Sequence, residues 1–384
     1  MPAIKVDINP KVLLWALNRS GKRLAVEKNF PKIYEWIEKK SKPTFRQLEE
    51  LAKATYTPLG YFFLDEPPED QLPIPYFRTI NGEPISQQRF SLDLIETVQM
   101  MQLRQDWMRE YLIELGQEPL PFVNSAKLES NPHEVAQNIK NTLGLKTGWA
   151  SQLPSWTDAL KELRDRIEDI GIIVVVNGVV GNNTHRKLNP EEFRGFVLVD
   201  EYVPLIFING ADAKAAQMFT IAHELAHIWF GSSAAFDLRE LQPSDDKIEQ
   251  ICNLVAAEFL LPEDELQRVW PKVKNEPEPF QTLAKHFKVS EIVAARRVLD
   301  IGYITKSDFL KFYNDYQAKE RSTNHGDKGG NFYNTQNMRI GRRFAKAVIT
   351  AVKEGKLLPH EAYQLTGLYG TAFDKYAKYL GLEV

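Results

Sequence analysis

The spacing of apolar residues predicts a mainly helical chain with one short β-rich stretch. Apolar side chains recur every three to four positions, which is the period of a helix with one buried face. This pattern covers residues 1–65, 90–115, 132–170, 279–318 and 336–381. We therefore expect an α+β fold in which helices outnumber strands.

The β-rich stretch lies near the middle of the chain. Ile172–Val176, Gly195–Val199 and Val203–Ile208 are apolar runs of strand length. The second and third runs are separated by the three residues 200–202, which predicts a hairpin. Either hairpin strand is a candidate edge on which an extended peptide pairs.

The helix predicted after the hairpin, residues 212–230, carries polar residues that its packing does not require. His223 and His227 are four residues apart, so both imidazoles project from one helical face and reach a single ion. Glu224 reaches the same ion, where it takes a proton from a metal-bound water. This His-Glu-x-x-His spacing is that of thermolysin-type zinc hydrolases. The motif predicts a zinc-dependent peptidase.

Zinc catalysis requires a third protein ligand and an open position for water. Glu249, on the next predicted helix, is the first candidate because it shares a face with Asn253, one turn away. The carboxylate then ligates the ion while the Asn253 amide holds a histidine in place. Glu258 and Asp237 are the alternative third ligands.

The chemistry expected of this site is peptide-bond hydrolysis. The ion lowers the pKa of a bound water toward ~7, and Glu224 takes a proton and later passes one to the leaving amine. Many such enzymes add a Tyr or His donor for the transition state. His185 and Tyr202 are candidates, and the sequence selects neither.

Composition restricts the class of protein further. The 384 residues exceed one ordinary domain, and the one cysteine, Cys252, rules out a disulfide framework. The start of the sequence lacks a signal-peptide pattern, and the apolar runs are too short to span a bilayer. We expect a cytoplasmic protein with no membrane contact, whose oligomeric state the sequence does not reveal.

Positive charge is concentrated at the two ends of the chain. Residues 1–60 hold 12 Lys and Arg against 6 Asp and Glu, and residues 319–384 hold 11 against 6, although the net charge is −3. A polyanion would therefore meet the ends, but ordinary solvated surface charge explains the counts equally well. In the C-terminal unit we expect packing on the peptidase core rather than nucleic-acid binding.

The motif and its surroundings resemble the ImmA/IrrE family of bacterial metallopeptidases. The resemblance covers about residues 150–315 and is carried by Phe193–Asp200, Ile221–His227 and Glu249–Pro262. It implies a zincin-like core in which zinc is bound by three side chains and one carboxylate acts as acid and base. These residues are, in order, His223, His227, Glu249 and Glu224.

The N-terminal segment resembles the Xre/Cro type of helix-turn-helix that is often fused to these peptidases. Its carriers include residues 42–44, 47–53 and 57–64. Between Gly21 and Trp36 the chain is several residues short of a full second helix, so the sequence does not predict base reading in the major groove, and a protein-binding bundle is the alternative. Five basic residues are suited to contact phosphates: Lys32, Lys39, Lys40, Lys42 and Arg46.

The predicted function is a zinc-dependent regulatory endopeptidase with DNA-binding character that cleaves a specific cytoplasmic protein. The resemblance implies a transcriptional repressor or a toxin as substrate. The alternative is an Xre-type regulator or antitoxin whose peptidase core is a scaffold or sensor, for which the resemblance implies a PIN-like nuclease toxin as a partner. The predicted domains are a helix-turn-helix-like bundle (1–65), linker and connector helices (66–150), the metallopeptidase core (151–275), a helix-turn-helix-like extension (276–318), a linker (319–331) and a basic helical unit (332–384).

Overall fold

The computed structural model describes residues 4–68, 90–236, 247–320 and 332–382. The chain divides into two compact units. The first contains residues 1–73 and 87–96, and the second contains residues 74–86 and 97–384. Residues 69–89 of the predicted linker and connector segment, and residues 321–331 of the predicted linker at 319–331, lie outside the described residues.

The first unit is a bundle of four short helices, closed by a 3-10 turn at Leu59–Phe63. Asn9 caps the first helix, and Thr44 and Gln47 form a reciprocal capping box at the start of the fourth. Side chains from the helices and the turn meet in a small apolar core that includes Leu13 and Phe62. The helices are α1 (Pro10–Arg19), α2 (Arg23–Asn29), α3 (Ile33–Ile37) and α4 (Phe45–Ala54).

Pro31, a residue that favours the start of a helix, predicts one at residues 32–40, and this prediction is wrong in its extent. The chain forms α2, which the sequence pattern did not indicate, and then a single helical turn, α3. Lys39 adopts a positive φ of 59°, which a continuing helix does not allow. The region between Gly21 and Trp36 therefore holds two short helices instead of one longer one.

The second unit contains a small sheet surrounded by helices. The helices before and around the sheet are α5 (Leu92–Glu114, of which residues 97–114 belong to this unit), α6 (Pro132–Thr142), α7 (Trp156–Asp169), α8 (Lys214–Phe230) and α9 (Lys247–Leu260). Those that follow are α10 (Glu263–Val273), α11 (Pro279–Phe287), α12 (Glu291–Asp300), α13 (Lys306–Glu320), α14 (Phe332–Ile340), α15 (Arg342–Lys353), α16 (Pro359–Thr366) and α17 (Thr371–Tyr379).

The main sheet has four strands, in the order β1-β5-β4-β6. Its strands are β1 (Ile173–Asn177), β4 (Gly195–Leu198), β5 (Leu205–Asn209) and β6 (Ala234–Phe236). The hairpin of β4 and β5 is confirmed, and β1 pairs with β5 in parallel. Every residue of β1, β4 and β5 is buried, which explains their continuous apolar runs.

Two β features were not anticipated. Strand β6 pairs with β4, so both strands of the predicted hairpin are interior strands and neither is an edge of the described sheet. The expectation of a peptide pairing with β4 or β5 is therefore wrong. A separate two-stranded sheet joins β2 (Val179–Val180) and β3 (Asn183–Lys187).

The C-terminal helices pack against the sheet-bearing core, as expected. Gly341, between α14 and α15, lies so close to β1 that an added Cβ would stand 3.2 Å from the Val174 carbonyl oxygen. The buried Arg104 of α5 donates to the carbonyl oxygens of Arg339 and Leu365. Within the described ranges, no helix combines the length and apolarity needed to cross a bilayer.

Candidate metal centre

The central helix α8 is buried on all sides. Every residue from Gln217 to Phe230 is buried, and Gly231 ends the helix in the left-handed conformation, with φ of 71°. The helix packs between strands β4 and β5 and helix α9. Polar side chains on such a helix have lost their contacts with water, so each needs a partner in the protein or a bound ligand.

Three side chains from α8 and α9 converge on one point. His223 Nε2 lies 3.0 Å from His227 Nε2 and 3.3 Å from Glu249 Oε2, and His227 Nε2 lies 3.1 Å from Glu249 Oε1. All three residues are buried. The sequence placed these residues on two different helices, and the structure brings their ligand atoms together.

The cluster fits a tetrahedral zinc ion. Two ligand atoms bound to one zinc at 2.0–2.1 Å lie roughly 3.3 Å apart in tetrahedral geometry, close to the three separations within the cluster. Two imidazoles and one carboxylate are also a ligand set that catalytic zinc uses. His223, His227 and Glu249 would thus hold the ion and leave a fourth position open.

The local environment favours an ionised Glu249 carboxylate and a neutral His223 imidazole. Burial by itself would raise the pKa of Glu249, but the adjacent His223 and His227 outweigh burial and hold that pKa well below its usual range. Burial lowers the pKa of His223, an effect that Glu249 opposes. Metal ligands must be in these protonation states to bind.

Glu224 is a buried carboxylate without a hydrogen-bond partner. Both of its oxygens are inaccessible to solvent, and neither has a partner among the described residues. Burial raises its pKa well above the ordinary value, and the negative charge of Glu249 adds to this effect. A carboxylate kept in such a place at a cost in stability is typical of a group that exchanges protons during a reaction.

Gly195, at the start of β4, is a site residue that the sequence did not reveal. A Cβ on Gly195 would stand 2.6 Å from Thr220 Cγ2, 2.9 Å from the Phe207 carbonyl oxygen and 3.2 Å from Glu224 Oε1. Only glycine lets α8 approach the strand this closely. A glycine beginning a predicted strand was the available signal, but it did not say which helix packs there.

Asn253 lies near the cluster, one turn after Glu249. It is close enough to His223 to raise the pKa of that imidazole. This is the position expected of a side chain that orients a metal-binding histidine.

The alternative third ligands do not join the cluster. Glu258 is buried elsewhere, where it pairs with Arg297 and accepts from, or donates to, His133 Nδ1 at 2.8 Å. Asp237 lies outside the described residues. Among the residues that the structure describes, Glu249 is therefore the third side chain of the cluster.

The two candidate donors for the transition state lie on different elements. His185 is exposed on β3. Tyr202 is in the hairpin turn, where the Arg109 guanidinium lies 5.5 Å from the centre of its ring. The choice between these residues stays a prediction.

The five candidate phosphate contacts are all exposed on the first unit: Lys32, Lys39, Lys40, Lys42 and Arg46. Three of them form ion pairs within that unit. Lys40 pairs with Glu38, Lys42 with Asp7, and Arg46 with Glu50. Exposed pairs of this kind are weak and exchange readily, so the cations stay accessible to a polyanion.

Comparison with known proteins gives two family matches. Residues 168–299 match a peptidase family model described as an IrrE N-terminal-like domain. Residues 340–379 match a model described as a domain of unknown function, DUF8813. The first range contains the whole three-residue cluster, and the second contains most of the C-terminal helices.

One curated relative is the radiation response metalloprotease IrrE of Deinococcus radiodurans. It is 29% identical to this chain over 148 residues, which are 35% of this chain and 44% of the relative. The aligned part thus spans less than half of the relative's length. These matches show that residues 168–299, which contain the buried His-His-Glu cluster, are similar to the metallopeptidase domain of IrrE.

Proposed function

We propose that this chain is a zinc-dependent regulatory endopeptidase. His223, His227 and Glu249 hold the ion, and Glu224 is the general base. The observation that carries the proposal is the pairing of a three-residue cluster with an adjacent buried carboxylate that has no hydrogen-bond partner among the described residues. A structural zinc site has no need of the second feature, since such sites are closed by a fourth protein ligand.

The chain's own residues account for the proton transfers of hydrolysis. When bound, zinc supplies positive charge that polarises the peptide carbonyl and makes water more acidic. Glu224 takes a proton from water as the water oxygen attacks the carbonyl carbon, and then delivers it to the amide nitrogen as the C–N bond breaks. Its buried position keeps its pKa high enough for the second transfer to be feasible.

The family resemblance and the basic N-terminal unit favour a regulatory protein as the substrate. The relative from Deinococcus is named for a radiation response, and the family resemblance implies cleavage of a repressor or a toxin. The fused basic unit at the N-terminus also suits a protein that acts near DNA. We therefore propose a specific cytoplasmic protein, a repressor or toxin, as the substrate.

Comparison of protein termini tests this proposal without a known substrate. Cells that express the wild-type chain are compared with cells that express Glu224→Gln, and newly formed N-termini are identified by mass spectrometry. We expect a small set of new termini in one or a few proteins with the wild type only. Identical termini in the two samples would exclude an active endopeptidase under those conditions.

A second candidate function rests on the basic surface of the first unit. Five exposed cations between Lys32 and Arg46 suit phosphate contacts, and a regulator or antitoxin would use them on DNA. In this function the peptidase core is a scaffold or a sensor. Measuring DNA affinity separately from cleavage distinguishes the two functions.

A further inference from the structure

A cavity of about 500 Å³ lies in the second unit, away from the residues of the metal cluster. Its wall is formed by α7, β1, the start of α8, the α14–α15 segment and the end of α17. The cavity thus lies between the peptidase core and the C-terminal helices. Its volume is in the range of small-molecule sites, which are about 300–1,000 Å³.

The cavity wall is strongly cationic. Four basic residues line it: Lys161, Arg164, Lys214 and Arg342. Asp165 is the one carboxylate among the described residues of the wall, and its contacts with Lys161 and Arg164 are long, at 3.5 and 3.4 Å. The wall therefore keeps an excess of positive charge although the chain as a whole is acidic. Such a concave cationic surface attracts anions.

The remaining wall suits a flat, partly apolar group. The Tyr379 ring lines the cavity and is held in place by stacking on Tyr333, with ring centres 4.9 Å apart. Asn337 accepts a hydrogen bond from the Tyr376 hydroxyl at 2.7 Å through Oδ1, which leaves its amide nitrogen to serve as a donor. A stacking ring beside a fixed amide is the combination that recognises planar heterocycles.

The position of the cavity connects it to the metal-binding helix. Lys214 is the first residue of α8, and the N-cap residue before it, Ala213, provides no side-chain cap. The N-terminal end of a helix carries partial positive charge and stabilises a nearby anion. The same helix carries His223, Glu224 and His227, all beyond its second turn.

We propose that this cavity is a binding site for a phosphorylated small molecule with a planar ring, of the nucleotide class. The phosphate is held by Lys161, Arg164 and Arg342 near the start of α8, and the ring packs on Tyr379. The volume of about 500 Å³ suits a small molecule better than a nucleic-acid strand. Such a ligand contacts both the C-terminal helices and the peptidase core and so links them. Its binding does not depend on the proposed peptidase activity.

Calorimetric titration of the full chain tests the site with three probes: adenosine 5′-monophosphate, guanosine 5′-monophosphate and inorganic phosphate. We expect saturable one-to-one binding of at least one nucleotide, at least tenfold tighter than inorganic phosphate. Arg342→Gln and Lys161→Gln should each weaken it about tenfold. Lys161 is 69% exposed, so its replacement leaves folding intact even if Arg342→Gln does not. Arg166→Gln, on the exposed face of the same helix α7, is the matched control and should bind like the wild type.

Three results would overturn the proposal. The first is no measurable binding of any probe at millimolar concentration. The second is an equal loss of affinity in Arg166→Gln, which would indicate unspecific charge attraction. The third is displacement of the nucleotide by duplex DNA that requires Arg342 and Lys161, which would assign the surface to nucleic acid. Because no outcome involves proteolysis, failure here leaves the proposed peptidase function standing, and the converse also holds.

Discussion

Gly195 of β4 lies directly against Glu224 of α8, where a methyl group on Gly195 would be in tight contact with the carboxylate. A Cβ on Gly195 would approach Glu224 Oε1 to 3.2 Å while it overlapped Thr220 and the Phe207 carbonyl group. The strand therefore fixes where the carboxylate lies relative to the three ligand residues. The geometry of the proposed base depends on a residue with no side chain.

Replacing Gly195 by alanine should destabilise the protein and displace Glu224. The overlap with backbone cannot be relieved by a rotamer change, so we expect a loss of about 1–3 kcal/mol in the free energy of unfolding. Chemical denaturation measures this loss. Gly60→Ala is the control, since nothing lies within 4 Å of its Cβ position, and it should change stability by less than about 0.5 kcal/mol. Equal stabilities of Gly195→Ala and wild type would refute the close contact.

Glu168, at the end of α7, should make stability decrease with pH. Burial raises its pKa to about 7, so the folded state holds a proton that the unfolded state loses near pH 4.5. Its contribution to folding is complete below pH 4.5 and is lost as the pH rises toward 7, with a size on the order of 3 kcal/mol.

Unfolding curves of wild type and Glu168→Gln between pH 4.5 and 8 test this expectation. The free energy of unfolding of Glu168→Gln should lack the decrease with rising pH that Glu168 causes. The stability of the variant relative to the wild type should therefore rise across that interval. Glu162→Gln, on the exposed face of the same helix, should follow the wild-type profile. Parallel profiles for Glu168→Gln and wild type would contradict the raised pKa.

Glu258→Gln should destabilise the fold without loss of metal. The substitution leaves the buried guanidinium of Arg297 without its charged partner, and breaking a buried pair in this way costs about 3–5 kcal/mol. Glu249→Gln should have the opposite profile, with weaker metal binding and a smaller effect on the metal-free fold. Metal content and denaturant midpoints of both variants decide between the two carboxylates. Loss of zinc in Glu258→Gln alone would make Glu258 the ligand.

DNA binding by the first unit should depend on salt and on its exposed lysines. The triple substitution of Lys39, Lys40 and Lys42 by glutamine should weaken affinity for duplex DNA and reduce the slope of log K against log salt by about 1–3. Fluorescence anisotropy at several salt concentrations measures both quantities. Lys53→Gln, near the C-terminal end of α4, is the control. Absence of wild-type binding at low salt would eliminate this function.

The sequence predicted the local parts of the site better than its surroundings. The spacing of His223 and His227 and the helix end at Gly231 follow from the geometry of one helix, and Glu249 was selected because it shares a helical face with Asn253. The structure brings the three candidate ligand residues together. That Glu249 of α9 lies beside the two histidines of α8 was a hypothesis, because residue spacing does not show how two helices pack.

The sheet was harder to predict because its order depends on distant contacts. Strand β6 has only three residues, too few for a recognisable pattern, yet it converts β4 from an edge strand into an interior one. Helix α2 was missed and α3 is shorter than predicted for a similar reason, since segments of seven and five residues are stabilised by tertiary packing more than by propensity. The role of Gly195 also becomes visible only when α8 is placed against β4.

The zinc content of the purified full chain tests the central claim most directly. Elemental analysis of metal-replete protein should find one zinc per chain in the wild type and in Glu224→Gln, because Glu224 is not a ligand. His223→Ala and Glu249→Gln should each hold far less zinc under the same conditions. A wild-type chain without stoichiometric zinc, or ligand variants that retain it in full, would contradict the assignment of His223, His227 and Glu249 as a metal centre.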